Sequence, residues 1–132
     1  MDFNLPEELL ALRKTVRDFC ESEVKPHARA WDEAETFPHE TVRKLGELGL
    51  LGMAVPEEYG GVGLSALGIA TVIEEIARYD GSLALTVASH NGLCTNHIKN
   101  FASEELKRKW LPKLATGEAL GAWGLSEPGS GS

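Results

Sequence analysis

The stretch DGSLALTVASHNGLCTNHI, Asp80 to Ile98, decides the fold. Asp80 is a good N-cap, because its carboxylate can accept the orphan backbone N–H groups of a first helical turn. Behind it Leu83, Leu85, Val87, Ala88, Leu93, Cys94 and Ile98 are spread nearly all round a helix instead of along one stripe. A helix apolar on every side is one that other helices surround, so this segment is expected at the centre of a bundle.

The flanking segments supply the surrounding helices. Upstream, Ser65 caps a stretch with Ile69, Val72, Ile73, Ile76 and Ala77 on one face. Downstream, Ser103 with Glu104 and Glu105 starts a helix ended by Gly117; its Leu106, Trp110, Leu111 and Leu114 are expected to face inward, and Lys107, Arg108, Lys109 and Lys113 to face water. Near the N-terminus, Asn4 and Glu7 have capping-box spacing, and Leu9, Leu12, Val16, Phe19, Cys20 and Val24 recur at helical period. Pro26 kinks or breaks that helix, with Ala28, Ala30 and Trp31 as a continuing piece. Pro38 opens a short helix in which Val42, Leu45 and Leu48 form an apolar stripe ending near Gly49. Between Leu50 and Leu64, LLGMAVPEEYGGVGL has no helical period and reads as an extended segment followed by a tight loop. Five helices then run into EALGAWGLSEPGSGS, Glu118 to Ser132, whose apolar run ending at Leu125 suits a buried strand leading into a turn. The fold class is all-α.

At 132 residues, with 42% apolar and 25% charged residues, the chain has enough aliphatic content to bury a core as one domain. A formal charge of −7 argues against a nucleic-acid footprint, which needs clustered Lys and Arg. No stretch approaches a membrane span, and MDFNLPEELL carries no basic-then-apolar leader, so a cytoplasmic location is expected; a mitochondrial precursor would need a transit peptide that these residues do not show. Cys20 and Cys94, each within an apolar helical pattern, read as buried free thiols.

Four histidines invite a metal, but His27 and His39 stand alone and His90 and His97 lie two helical turns apart, with no carboxylate or thiolate at ligand spacing; no metal site is nominated. The glycines at Gly60, Gly61 and Gly63 lack the Lys of a phosphate loop and the spacing of a dinucleotide fingerprint, so a structural turn is the favoured reading. Glu7 and Glu8, and Glu74 and Glu75, are neighbours whose side chains diverge round a helix, so neither pair forms an acid–base couple. The tail is more specific. Pro128 fixes the backbone after Glu127, Gly129 and Gly131 permit close approach to a planar ligand, and Ser126, Ser130 and Ser132 offer hydroxyls. From the residues alone, a ligand loop at the end of a strand and a flexible spacer both remain open.

The segment WGLSEPGSGS, Trp123 to Ser132, resembles the flavin-contacting signature of the acyl-CoA dehydrogenases. The resemblance extends through FCESEVKPHARAWDEAETFPHE, LGELGLLGMAVPEEYGGVGL, IEEIARYDGSLALTVASHNGL and EELKRKWLPKLATGEALGAW, all similar to that family's N-terminal helical domain. It implies a helical domain over residues 1–118 and the start of a middle β-domain over residues 119–132. It also implies FAD as cofactor, an acyl-CoA thioester as substrate, an electron-transfer flavoprotein as acceptor, and a homotetramer. By motif position, Trp123 would pack against the flavin, Leu125 and Ser126 would hydrogen-bond its pyrimidine side, and Ser132 would contact the CoA portion of the substrate. The region of His90, Asn91, Leu93 and Cys94 would line the acyl pocket, although a central helix is apolar for packing alone. The family's catalytic glutamate belongs to a C-terminal bundle outside these residues, so no catalytic residue is nominated and the chain alone is expected to be inactive. Two other readings stay open: a flavin oxidase or monooxygenase of the same fold, and a non-catalytic helical module that binds a partner through exposed apolar faces.

Overall fold

The computed structural model describes residues 4–131. Its helices are α1 (Glu7–Glu23), α2 (Ala28–Glu33), α3 (His39–Glu47), α4 (Ala66–Ala77), α5 (Gly81–Ala88), α6 (Asn96–Phe101) and α7 (Glu104–Thr116). Between α5 and α6 the chain does not leave the helix: Ser89–Thr95 is π-helical, so residues 81–101 form one helical span with a widened middle. No strand is present among the described residues.

Local chemistry sets most of the starts. Asp80 Oδ1 accepts from Leu83 N–H at 2.8 Å, Ser65 Oγ from Gly68 N–H at 3.2 Å, and Ser103 Oγ from Leu106 N–H at 3.4 Å. The capping box expected from Asn4 and Glu7 is not what opens α1. Pro6 holds the N-cap position with no side-chain cap bond, which makes Glu7 the first helical residue, where its charge suits the dipole. Pro38 stands immediately before α3 as its N-cap.

The core lies where α1, α3, α4 and α5 meet, around Val16, Cys20, Leu45, Leu51, Met53, Val72, Ile76 and Val87. The span from Asp80 is only partly enclosed: Leu83, Ala84 and Val87 are buried, while Leu85 is 66% exposed. In α7 the packed face is Leu111, Leu114 and Ala115, with Lys107 half-buried one turn earlier; Leu106 and Trp110 lie one position round and face outward, contrary to expectation. Burial pushes the Cys20 thiol up to about 11, whereas Cys94 is only half-buried; both are free.

The segment from 50 to 64 is a set of turns about a 3₁₀ turn at Glu57–Tyr59. Its alternate residues Leu51, Met53 and Val55 are fully buried, as an extended reading requires, but the chain doubles back so that Val62 N–H reaches Gly52 O, Gly63 N–H reaches Val55 O and Leu64 N–H reaches Met53 O. A Cβ on Gly61 would fall 2.1 Å from Val55 O, so this return requires glycine there.

Between α1 and α4 sits a carboxylate that the sequence reading weighed only as a neighbour of Glu74. Glu75, its side chain 3% exposed, takes Arg17 Nε at 2.8 Å on Oε1 and Arg17 Nη2 at 3.0 Å on Oε2, with Arg78 at 3.5 Å. The forked guanidinium matches the carboxylate in two parallel bonds and ties the two helices.

Candidate functional site

The π-helical turn gathers the residues expected at the acyl pocket, His90, Asn91, Leu93 and Cys94. Consecutive residues of an α-helix diverge by about 100°, yet His90 and Asn91 are both fully buried, because the wider turn brings both inward. Asn91 spends its whole amide: Nδ2 donates to Leu50 O at 3.0 Å and Val87 O at 3.1 Å, and Oδ1 accepts from Ala54 N–H at 3.2 Å. His90 does the same with its ring. Nε2 lies 3.0 Å from Leu51 O and 3.1 Å from Leu114 O, and Nδ1 accepts Gly121 N–H at 2.9 Å. Burial holds the His90 pKa below the usual imidazole value, against a smaller opposing pull from the two carbonyls. A neutral ring with one donor and one acceptor nitrogen satisfies every one of these contacts.

His90, expected at an acyl pocket, therefore stands beneath the surface with both nitrogens engaged. Leu93, 44% exposed, and Cys94, half-buried, face outward from the same turn. Against Cys94 runs the chain after α7. A Cβ on Gly121 would lie 2.6 Å from Cys94 Sγ, so the backbone passes there at glycine distance. Trp123 meets His97 edge-on, ring centroids 4.1 Å apart.

Beyond that point the expected buried strand is absent: residues 122–131 are exposed, with Leu125 at 78%. A strand needs a neighbour to take its N–H and C=O groups, and none of the described residues supplies one. A single turn forms instead, with Glu127 N–H on Ser130 O at 2.7 Å and Ser130 N–H on Glu127 O at 3.1 Å. Neither the N–H groups of Leu125 and Ser126 nor the Ser126 hydroxyl is taken by another described residue. Ser132 lies outside the described residues.

A cavity of about 690 Å³ lies elsewhere, between Trp31, Phe37, Tyr79 and Leu83, and no nominated residue lines it. Among the described residues no group of three His, Cys, Asp or Glu could hold a metal ion, and no helix is long and apolar enough to cross a membrane. The sequence reading missed two contributors: Asn91 as a saturated amide clamp and Gly121 as the point of closest approach. A polar His-Asn pair in an otherwise apolar span was the available signal for the first.

The fold defines an all-α module with an exposed C-terminal extension that pairs with no strand among the described residues. Residues 6–118 match the family model described as acyl-CoA dehydrogenase, N-terminal domain, and the chain belongs to that family. It is 42% identical, over all of its 132 residues and 35% of the relative's length, to the short-chain specific acyl-CoA dehydrogenase of Clostridium acetobutylicum. It is 46% identical to the glutaryl-CoA dehydrogenase of Desulfococcus multivorans, again over 100% of this chain and 35% of that protein. Among solved structures, the acyl-CoA dehydrogenase of Bacillus anthracis complexed with FAD superposes with a TM-score of 0.87 at 42% identity, over 97% of this chain and 22% of that one. The chain thus spans about a third of the length of the curated relatives it matches.

Proposed function

We propose that this chain forms the N-terminal part of an FAD-dependent acyl-CoA dehydrogenase, which oxidises the Cα–Cβ bond of an acyl-CoA thioester to the 2-enoyl-CoA. The observation that carries the reading is the segment Trp123–Ser126, which leaves the bundle at a fixed point and holds its backbone and hydroxyl donors uncommitted. These residues fit a flavin. Trp123 offers an aromatic face, and the N–H groups of Leu125 and Ser126 with the Ser126 hydroxyl are donors suited to the electron-rich pyrimidine edge, where charge builds on reduction. Bound FAD supplies the hydride acceptor. The chain's own part is to bind and orient it, with Leu93 and Cys94 bordering the acyl group and Ser132 the CoA portion. The relatives' names, for short-chain and glutaryl substrates, support the thioester class. Electron-transfer flavoprotein is the proposed acceptor and a homotetramer the proposed assembly.

The test is purification of the whole protein and release of its chromophore. A yellow protein yielding FAD, bleached by an acyl-CoA and weakened about tenfold in FAD affinity by Ser126→Ala, which removes one hydrogen bond to the ring, is the expected result. A colourless protein that takes up no FAD contradicts the reading.

A further inference from the structure

We infer that His90 is a positioning residue for the cofactor-contacting segment: one buried ring fixes the point, Gly121, from which Trp123, Leu125 and Ser126 extend. The inference rests on the reading of that segment given above and goes beyond it by naming what holds the segment in place.

The hydrogen bonds fix the tautomer. Gly121 presents an N–H to Nδ1 at 2.9 Å, so Nδ1 must be the bare acceptor. The single proton of the neutral ring then sits on Nε2, where the carbonyls of Leu51 and Leu114 lie at 3.0 and 3.1 Å. The alternative tautomer would set an N–H against the Gly121 N–H and a lone pair against two carbonyl oxygens, losing all three contacts. Both anchors are firm: Leu51 is fully buried in the 50–64 loop, and Leu114, 3% exposed, is in the last turn of α7. Asn91 secures the same loop through Leu50 O and Ala54 N–H, so the two inward residues of the π turn divide the work. Asn91 holds the loop, and His90 joins loop, helix end and outgoing segment.

The segment's position then follows from contacts of different kinds. The Gly121 backbone rests on Cys94, where a Cβ would come within 2.7 Å of the Cys94 Cβ. Two residues on, Trp123 stands edge-on to His97. Among the described residues, the His90–Gly121 bond is the last hydrogen bond between segment and bundle before Leu125 and Ser126.

NMR of the isotopically labelled whole protein tests this. The wild type should show His90 Nδ1 as unprotonated, Nε2 as protonated, and a through-hydrogen-bond coupling between Gly121 N and His90 Nδ1; a proton on Nδ1, or no coupling, overturns the assignment. Two variants separate positioning from mere packing. His90→Asn keeps an acceptor near the place of Nδ1, whereas His90→Gln keeps a donor near the place of Nε2 and leaves Gly121 without its acceptor. Gly121 amide exchange should quicken about tenfold in His90→Gln, the worth of one net hydrogen bond, and the Trp123 indole resonance should move, while His90→Asn restores both. Equal protection in the two variants overturns the assignment, and if neither folds the wild-type coupling decides. Adding FAD distinguishes the two claims. Shifts at Trp123, Leu125 and Ser126 are expected; none, with the coupling intact, overturns the cofactor reading, whereas FAD shifts without the coupling overturn the role of His90.

Discussion

A buried histidine with only backbone partners and no carboxylate beside it is favoured as the neutral ring, and His90 shows how the surroundings arrange that. Burial depresses its pKa below the ordinary 6.5, so the unfolded chain binds more protons than the folded one once the pH falls below that value. The stabilisation tied to neutral His90 is complete above about 6.5 and is lost as the pH drops through the folded pKa. Urea titrations of the wild type from pH 7.5 downward should therefore lose stability below about pH 6.5, and His90→Asn should lack that component; identical slopes in the two proteins would contradict the burial of a titrating ring. Thr95 is the counterpart. Its hydroxyl, fully buried at the end of the π turn, has no partner among the described residues. Thr95→Val, nearly the same shape without the orphan oxygen, should raise stability by about 1 kcal/mol in denaturant unfolding.

At the scale of elements, what could be read in advance was local chemistry, and what could not was pairing across the chain. Asp80, Ser65 and Ser103 cap the helices they were expected to cap, since a cap depends only on the next three residues. The π turn was invisible, because the apolar period of residues 83–98 is compatible with α geometry and only the burial of both His90 and Asn91 exposes the change of register. The strand expected near Leu125 failed for the reason strands do: its partner lies in no described residue. The glycine contacts depend on distant backbone and give two checks. Gly61→Ala, driving a Cβ into Val55 O, should cost about 3 kcal/mol. Gly121→Ala, colliding with Cys94, should shift the Trp123 indole resonance, and the added change Cys94→Gly should return it; an unmoved resonance in Gly121→Ala would remove the close approach.

Across the whole molecule, stability and presentation of the site are separate. The α1–α4 contact is clamped by Glu75, whose pKa is lowered by its hydrogen bonds from Arg17 despite the opposing effect of burial. Its contribution is present above the usual carboxylate value of 4.5 and is lost as the pH falls below it. Glu75→Gln should cost about 1–2 kcal/mol, a figure held down because the Arg17 side chain is 42% exposed and returns readily to water. That loss should leave the Gly121–His90 coupling untouched, since no helix of the clamp contacts the outgoing segment through a hydrogen bond. The all-α class was legible because it rests on periodicity, whereas the full enclosure expected of the span from Asp80 was not met, Leu85 standing 66% exposed. The buried carboxylate was not legible, because Arg17 and Glu75 are 58 residues apart.

The most direct measurement is a crystal structure of the whole protein with FAD bound. The account requires the Leu125 and Ser126 donors within about 3.2 Å of the isoalloxazine pyrimidine edge, with Gly121 N–H still on His90 Nδ1. Ser126 turned to solvent, away from the ring, would contradict it.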